Sequence, residues 1–166
     1  TMRNIQNAVQ AVVVGAGSMR ATPKMRYPEH LNRYVVTRSG NLPWQSRFFA
    51  DAPGKAFVVC PGDAPVQAPE GVEVLPFGGS DFDPRAFVRY IRHSHGVEKL
   101  LIEGGSELNA VFLRAGLVDE MFLTVAPKLR LGRDIPTYAG GEPFDRHEVP
   151  QLRLVEYKVV GDEIFL

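Results

Sequence analysis

The stretch Leu101-Ile102-Glu103-Gly104-Gly105-Ser106-Glu107 joins a carboxylate and two glycines to the start of a helix-forming segment, SELNAVFLRAG. Glycines remove side chains where the first helical N–H groups lack partners and where the helix dipole favours negative charge. Such a corner can receive a phosphate or a carboxylate. Glu103 stands at the carboxyl end of an apolar run, KLLIE. A buried carboxylate left unpaired is costly, so Glu103 needs a donor. Either a ligand provides it, or Glu103 merely caps its own loop or helix.

Two further stretches carry comparable chemistry. VVVGAGSMRA (12–21) runs from a strand into Gly15-Ala16-Gly17-Ser18, small residues that let backbone N–H groups approach a pyrophosphate. The third glycine of the dinucleotide fingerprint is missing, because Met19 and Arg20 occupy the region. Pro23 and Pro28 interrupt the residues beyond it, so no helix is expected there. The segment reads as a ligand-facing glycine loop or a plain tight turn, and not as the standard fingerprint. YVVTRSG (34–40) closes a strand with Thr37, Arg38 and Ser39, two hydroxyls and a guanidinium. That set suits a phosphate monoester and equally a solvated turn. His93 and His95 have no third ligand in the sequence, so no metal site is expected. Neither a Gly-x-Ser-x-Gly elbow nor a Walker loop is present.

The elements that must position these groups are legible in the pattern. AVVVG (11–15), RYVVT (33–37), AFVVC (56–60), VEVLPF (72–77) and KLLIE (99–103) are continuous apolar runs, as expected of strands covered on both faces in a parallel sheet. DFDPRAFVRYIRHSHG predicts a helix with Asp81 or Asp83 as N-cap, Pro84 in the first turn and Gly96 at the stop. SELNAVFLRAG predicts a second, with Leu108, Val111, Phe112 and Ala115 at helical spacing and Gly116 ending it. MFLTVAPKL (121–129) predicts a strand, followed by a Gly/Pro-rich loop over 131–143. LRLVEYKVV and EIFL flank Gly161-Asp162 as a two-residue hairpin. Trp44, Phe48 and Phe49 are expected to pack a loop over the core, and Cys60 to be a core residue at a strand end. The expected fold is α/β: a mixed, mostly parallel sheet, helices on both faces, and an antiparallel hairpin at the C-terminus.

Composition narrows the function. Nineteen basic residues match nineteen acidic ones over 166 residues, so the basic excess of a nucleic-acid binder is missing. One cysteine permits no internal disulfide, in keeping with a cytoplasmic setting. No apolar run approaches the roughly 20 residues that span a bilayer, so no membrane partner is expected.

Taken in order, AVVVGAGSMRA, VVTRSG and LLIEGGSELNAVFLRAGLVDEMFLTVAPKLRLG resemble the reductase domain of riboflavin biosynthesis, the C-terminal half of the bifunctional deaminase–reductase. Ser18 stands where that family usually has threonine. The resemblance implies one domain over residues 1–166, with a three-layer dihydrofolate-reductase-like fold. It implies NADPH as hydride donor, its pyrophosphate near Gly15, Gly17, Ser18, Gly104, Gly105 and Ser106. Thr37, Arg38 and Ser39 would hold the 2′-phosphate. Glu103 would be the catalytic residue and, with Arg20, would face the space shared by nicotinamide and substrate. The implied substrate is a ribosylaminopyrimidine 5′-phosphate whose ribose is reduced to a ribityl chain, and the implied assembly is a homodimer. The alternatives are a reductase of the same fold acting on a dihydrofolate- or flavin-like compound, and a non-catalytic NADP(H)-binding protein. The family's opening strand, with its Ser-x-Asp-Gly segment, has no counterpart before Ala11, so the expected domain lacks that strand.

Overall fold

The computed structural model of the chain describes residues 2–51, 54–129, 131, 132, 135 and 137–166. Arg130, in the longest segment of the resemblance, and Arg133, Asp134 and Pro136 of the Gly/Pro-rich loop lie outside the described residues. After a short helix, α1 (Met2–Asn7), come β1 (Ala11–Gly15), α2 (Ala16–Ala21), β2 (Asn32–Val36), α3 (Arg47–Ala50), β3 (Ala56–Cys60) and β4 (Glu73–Pro76). The remaining elements are α4 (Pro84–His95), β5 (Leu100–Ile102), α5 (Ser106–Arg114), β6 (Thr124–Val125), β7 (Lys158–Val160) and β8 (Glu163–Phe165).

All five apolar runs form strands of one sheet, in the order β4-β3-β2-β1-β5, with every pairing parallel. The chain steps outward from β1 to β4, then crosses back through α4 to place β5 on the other side of β1. Residues alternate across the sheet as a two-residue period requires. Val12, Val14, Val35 and Val58 pack on one face with Met19 of α2 and Phe48 and Phe49 of α3. Ala11, Val13, Tyr34 and Val59 pack on the other with Phe87 and Ile91 of α4 and Leu108 and Phe112 of α5. The three layers are thus set by which face each apolar side chain takes. Phe87 and Phe112 are fully buried, and truncating either to alanine should cost about 3–5 kcal/mol.

Helix α4 obeys its sequence signals closely. Asp83 is the N-cap, accepting from the N–H groups of Arg85 at 2.9 Å and Ala86 at 3.0 Å. Gly96 ends the helix with φ +65°, and Val97 N–H returns to the Ile91 carbonyl at 3.1 Å. Cys60 is buried in β3, and burial raises its thiol pKa.

The structure departs from expectation in three places. A helix does form after the first glycine segment: α2 spans six residues and ends before Pro23, so Gly17 and Ser18 lie in its first turn. It is too short for an apolar periodicity to announce it. The strand expected over 121–129 is only the pair Thr124–Val125. Its partners are β8 and, through β8, β7, so the antiparallel strands make a three-stranded sheet of their own, β6-β8-β7, not the end of the parallel one. The Gly161-Asp162 turn joins β7 to β8 as expected.

Candidate active site

Strand order decides where the chemistry gathers. In a parallel sheet, ligands bind beyond the carboxyl ends of strands at the point where the winding reverses. Here the reversal lies between β1, whose chain continues toward β2, and β5, reached by the crossover. Gly15 to Ser18 come at the end of β1, and Glu103 to Ser106 at the end of β5. The two glycine segments therefore flank the switch point.

They are also in direct contact. Gly15 N–H donates to the Gly104 carbonyl at 2.7 Å. A Cβ at Gly105 would lie 2.8 Å from Ser18 Oγ, and one at Gly15 would lie 3.5 Å from the Gly104 oxygen. Gly104 has φ +78°, a conformation glycine adopts at no steric cost, and its peptide to Gly105 is cis. Neither helix beginning here, at Ala16 or at Ser106, has a side-chain cap. Gly105 packs directly against Ser18, so that a Cβ at Gly105 would press on the Ser18 hydroxyl, and the first N–H groups of a helix without a side-chain cap favour an anion. A segment from the C-terminal part borders this corner: Gly140 N–H donates to the Ser106 carbonyl at 3.0 Å, and Asn109 Nδ2 to the Tyr138 carbonyl at 2.6 Å.

The third segment lies one strand further on. Gly15 pairs in register with Val36, which places Thr37, Arg38 and Ser39 just beyond the end of β2. Strands lie about 4.8 Å apart, so β2 and β5 stand about 10 Å apart across β1. Thr37 is buried and its Oγ1 accepts from Gly40 N–H at 3.1 Å, while Ser39 Oγ accepts from Asn41 N–H at 3.3 Å. Each hydroxyl keeps a proton to donate. Arg38 is exposed and pairs with Asp81 at 2.8 Å.

Glu103 has partners of its own. Gln6 Nε2 donates to one carboxylate oxygen at 2.6 Å and the Tyr27 hydroxyl to the other at 2.8 Å. Glu103 is half-buried, and these two donors account for its carboxylate without a ligand. Two neutral donors orient the carboxylate, and both oxygens retain lone pairs. Burial, followed by the charge and hydrogen bond of Glu103, pushes the Tyr27 hydroxyl well above the usual phenol range.

Arg20 reaches from α2 to the turn after β2. Its Nη1 donates to the Asn41 carbonyl at 2.9 Å, and its Nη2 lies 4.0 Å from where a Gly17 Cβ would be. The guanidinium bridges the first glycine segment and the turn after β2, and no bond from it to Glu103 occurs among the described residues.

Sequence reasoning missed Gln6, Tyr27 and Asp81. Gln6 and Tyr27 lie 97 and 76 residues from Glu103, and nothing in their flanking sequence marks them. It also missed a depression of about 650 Å3 lined by Arg3, Arg26, Tyr27, His30, Arg47 and Asp51, with Tyr27 shared between it and Glu103. Beneath it, Arg33 is fully buried, donating to the Phe48 carbonyl at 2.9 Å. Among the described residues its Nε and Nη2 have no hydrogen-bond partner. A second depression is lined by Pro23, Pro43, Trp44, Gln45 and Ser46; neither is lined by the glycine pair.

Comparison with known proteins places this geometry in a family. The model of the RibD C-terminal domain matches residues 1–166. The chain is 28% identical over 176 residues to the 2,5-diamino-6-ribosylamino-4(3H)-pyrimidinone 5′-phosphate reductase of Aquifex aeolicus, covering 98% of this chain and 77% of that protein. A shorter match, 37% identical over 75 residues, joins 45% of it to 35% of the like-named reductase of Methanothermobacter thermautotrophicus. Among solved structures, Acinetobacter baumannii RibD superposes with a TM-score of 0.76 at 21% identity, covering 99% of this chain and 48% of that one. A pyrimidine reductase-like protein from Corynebacterium diphtheriae superposes at 0.74 with 20% identity, covering 99% and 77%. The chain thus spans about half the length of the RibD structure it matches. At these identities the superpositions carry the fold, which is the dihydrofolate-reductase-like one the sequence suggested. The chain belongs to the RibD C-terminal domain family.

Proposed function

We propose that this chain, as a RibD C-terminal domain, is an NADPH-dependent reductase of riboflavin biosynthesis, converting the ribose of a ribosylaminopyrimidine 5′-phosphate to a ribityl chain. One observation carries the reading: the Gly15–Ser18 and Gly104–Ser106 segments meet at the switch point, with two uncapped helix starts facing them. In this reading the corner takes the pyrophosphate, and Arg38, just beyond the end of the neighbouring strand β2, takes the adenosine 2′-phosphate.

The bound nicotinamide supplies the hydride. The chain's own residues bind and orient. Gly104, Gly105 and Ser106 offer backbone N–H groups to the pyrophosphate, and Gly15, Gly17 and Ser18 form the opposite wall. Arg20, bridging the two cofactor segments, adds positive charge on the cofactor side. Thr37, Arg38 and Ser39 receive the 2′-phosphate. Glu103, oriented by Gln6 and Tyr27, accepts hydrogen bonds from the reacting partners and holds them in line. The depression lined by Arg3, Arg26 and Arg47 receives the substrate's phosphate, where several guanidiniums outweigh the carboxylates of Glu29 and Asp51.

The homodimer is assigned to the C-terminal sheet. Phe122, Val125, Val155, Val159 and Val160 are all exposed, an apolar surface that a second copy would cover. Among the described residues no helix is long and apolar enough to cross a membrane, and a cytoplasmic setting suits a single buried thiol.

The test is to monitor NADPH oxidation with the ribosylaminopyrimidine 5′-phosphate and with dihydrofolate side by side. Turnover of the pyrimidine alone supports the proposal. Turnover of dihydrofolate alone would move the chain to another reductase activity, and binding without turnover of either would make it a nucleotide-binding protein.

A further inference from the structure

The pair between Arg38 and Asp81 is the one salt bridge among the described residues, and it crosses the carboxyl edge of the sheet. Asp81 comes from the turn between β4 and α4, which is held by its backbone. Gly78 and Phe82 form an antiparallel bridge, and Asp83 N–H donates to the Phe77 carbonyl at 3.3 Å. Asp63 N–H donates to the Gly79 carbonyl at 3.4 Å. Gly78 has φ +90°, and a Cβ there would lie 2.1 Å from the Asp81 oxygen; a Cβ at Gly62 would lie 2.5 Å from the Gly78 oxygen. Two residues on, Asp83 is committed as the cap of α4. Asp81 therefore projects from a fixed turn, and the long side chain of Arg38 comes to meet it.

The two side chains are 75% and 77% exposed. An exposed pair of this kind adds little to stability. Its position matters more, because it sets a carboxylate 2.8 Å from the guanidinium proposed to hold a 2′-phosphate. Nicotinamide sites distinguish the two dinucleotides by this contrast: an acid accepts from the ribose 2′-hydroxyl, and an arginine accommodates the 2′-phosphate. Both groups are present here, bound to each other.

We propose that Asp81 is a specificity-determining residue that tempers the preference for NADPH over NADH, by competing with the 2′-phosphate for Arg38 and accepting from a 2′-hydroxyl. The proposal rests on the nicotinamide reading of the site. When the phosphate arrives, its charge of about −1.5 to −2 displaces the single charge of Asp81 from Arg38. The carboxylate cannot retreat far, since its turn is fixed, and it continues to repel the phosphate. With an unphosphorylated ribose the pair stays intact.

Equilibrium titration of Asp81→Asn with NADPH and NADH at fixed low ionic strength tests this, alongside calorimetry with adenosine 2′,5′-bisphosphate and adenosine 5′-monophosphate. NADPH and the bisphosphate should bind about two- to fivefold more tightly, while NADH and the monophosphate bind unchanged or about twofold more weakly. Asp81→Ala should shift the ratio the same way, and Arg38→Ala the opposite way. A ratio unchanged in both Asp81 variants, with wild-type protein binding NADPH, overturns the role of Asp81 and leaves the cofactor reading intact. Wild-type protein that binds neither dinucleotide overturns both.

Discussion

Gly15 N–H and the Gly104 carbonyl, 2.7 Å apart, join the turns after two adjacent parallel strands into a single surface. Residues 89 positions apart (104 − 15) thereby become one wall of one site. The helix that follows, α5, begins at Ser106 without a side-chain cap.

The corner leaves almost no room at Gly105. Gly105→Ala would bring a methyl to 2.8 Å from Ser18 Oγ. We expect about a tenfold loss of NADPH affinity and a modest fall in Tm. Adding Ser18→Ala should restore Tm but not affinity, since the methyl would still occupy phosphate space. Recovery of both in the double variant, read by thermal melts and NADPH titration, would show that the clash was purely structural.

Glu103 has an oriented carboxylate that the reaction can use. Glu103→Gln keeps its shape but sets an amide between Gln6 and Tyr27, one of which loses a suitable partner. Stability should fall by about 1 kcal/mol, while kcat falls at least about tenfold and the Kd for NADPH barely moves. Unchanged single-turnover rates would remove Glu103 from the reaction.

Alkaline stability should report on the same network. Burial, with the Glu103 charge next, raises the Tyr27 pKa, and burial raises that of Tyr34 to well above the free phenol. A raised folded pKa means stability present in full below the unfolded value of about 10 and lost as pH rises past it. Wild-type Tm should therefore decline above about pH 10. Tyr27→Phe should be less stable at pH 7 by about 1–2 kcal/mol, with a lower Tm that declines less steeply with pH. Identical slopes for the two proteins between about pH 9 and 11 would contradict this.

The basic depression is testable through the substrate's phosphate. Arg26→Ala should raise KM for the phosphorylated substrate about tenfold and leave the Kd for NADPH unaltered. The dephosphorylated substrate should show no difference between wild type and variant. Equal effects on both substrates would place the phosphate elsewhere.

Local chemistry made much of this protein legible from its sequence. Continuous valine runs mark β1, β2 and β3 because strands covered on both faces cannot alternate. Asp83, Pro84 and Gly96 mark α4 because caps and stops answer to immediate neighbours. The Glu103-Gly104-Gly105 segment pointed to a candidate site because glycine before a helix start is a local signature, whereas the six-residue helix after Gly15 left no such mark. Only the tertiary structure decided what those groups meet. Strand order set Gly15 against Gly104, the packing of α1 and the Tyr27 loop brought Gln6 and Tyr27 to Glu103, and a fixed turn carried Asp81 to Arg38. Such pairings span 43 to 97 residues, and side chains so distant leave no periodicity or spacing in the chain. Their meeting depends on how faces pack and on which side of β1 the crossover lands.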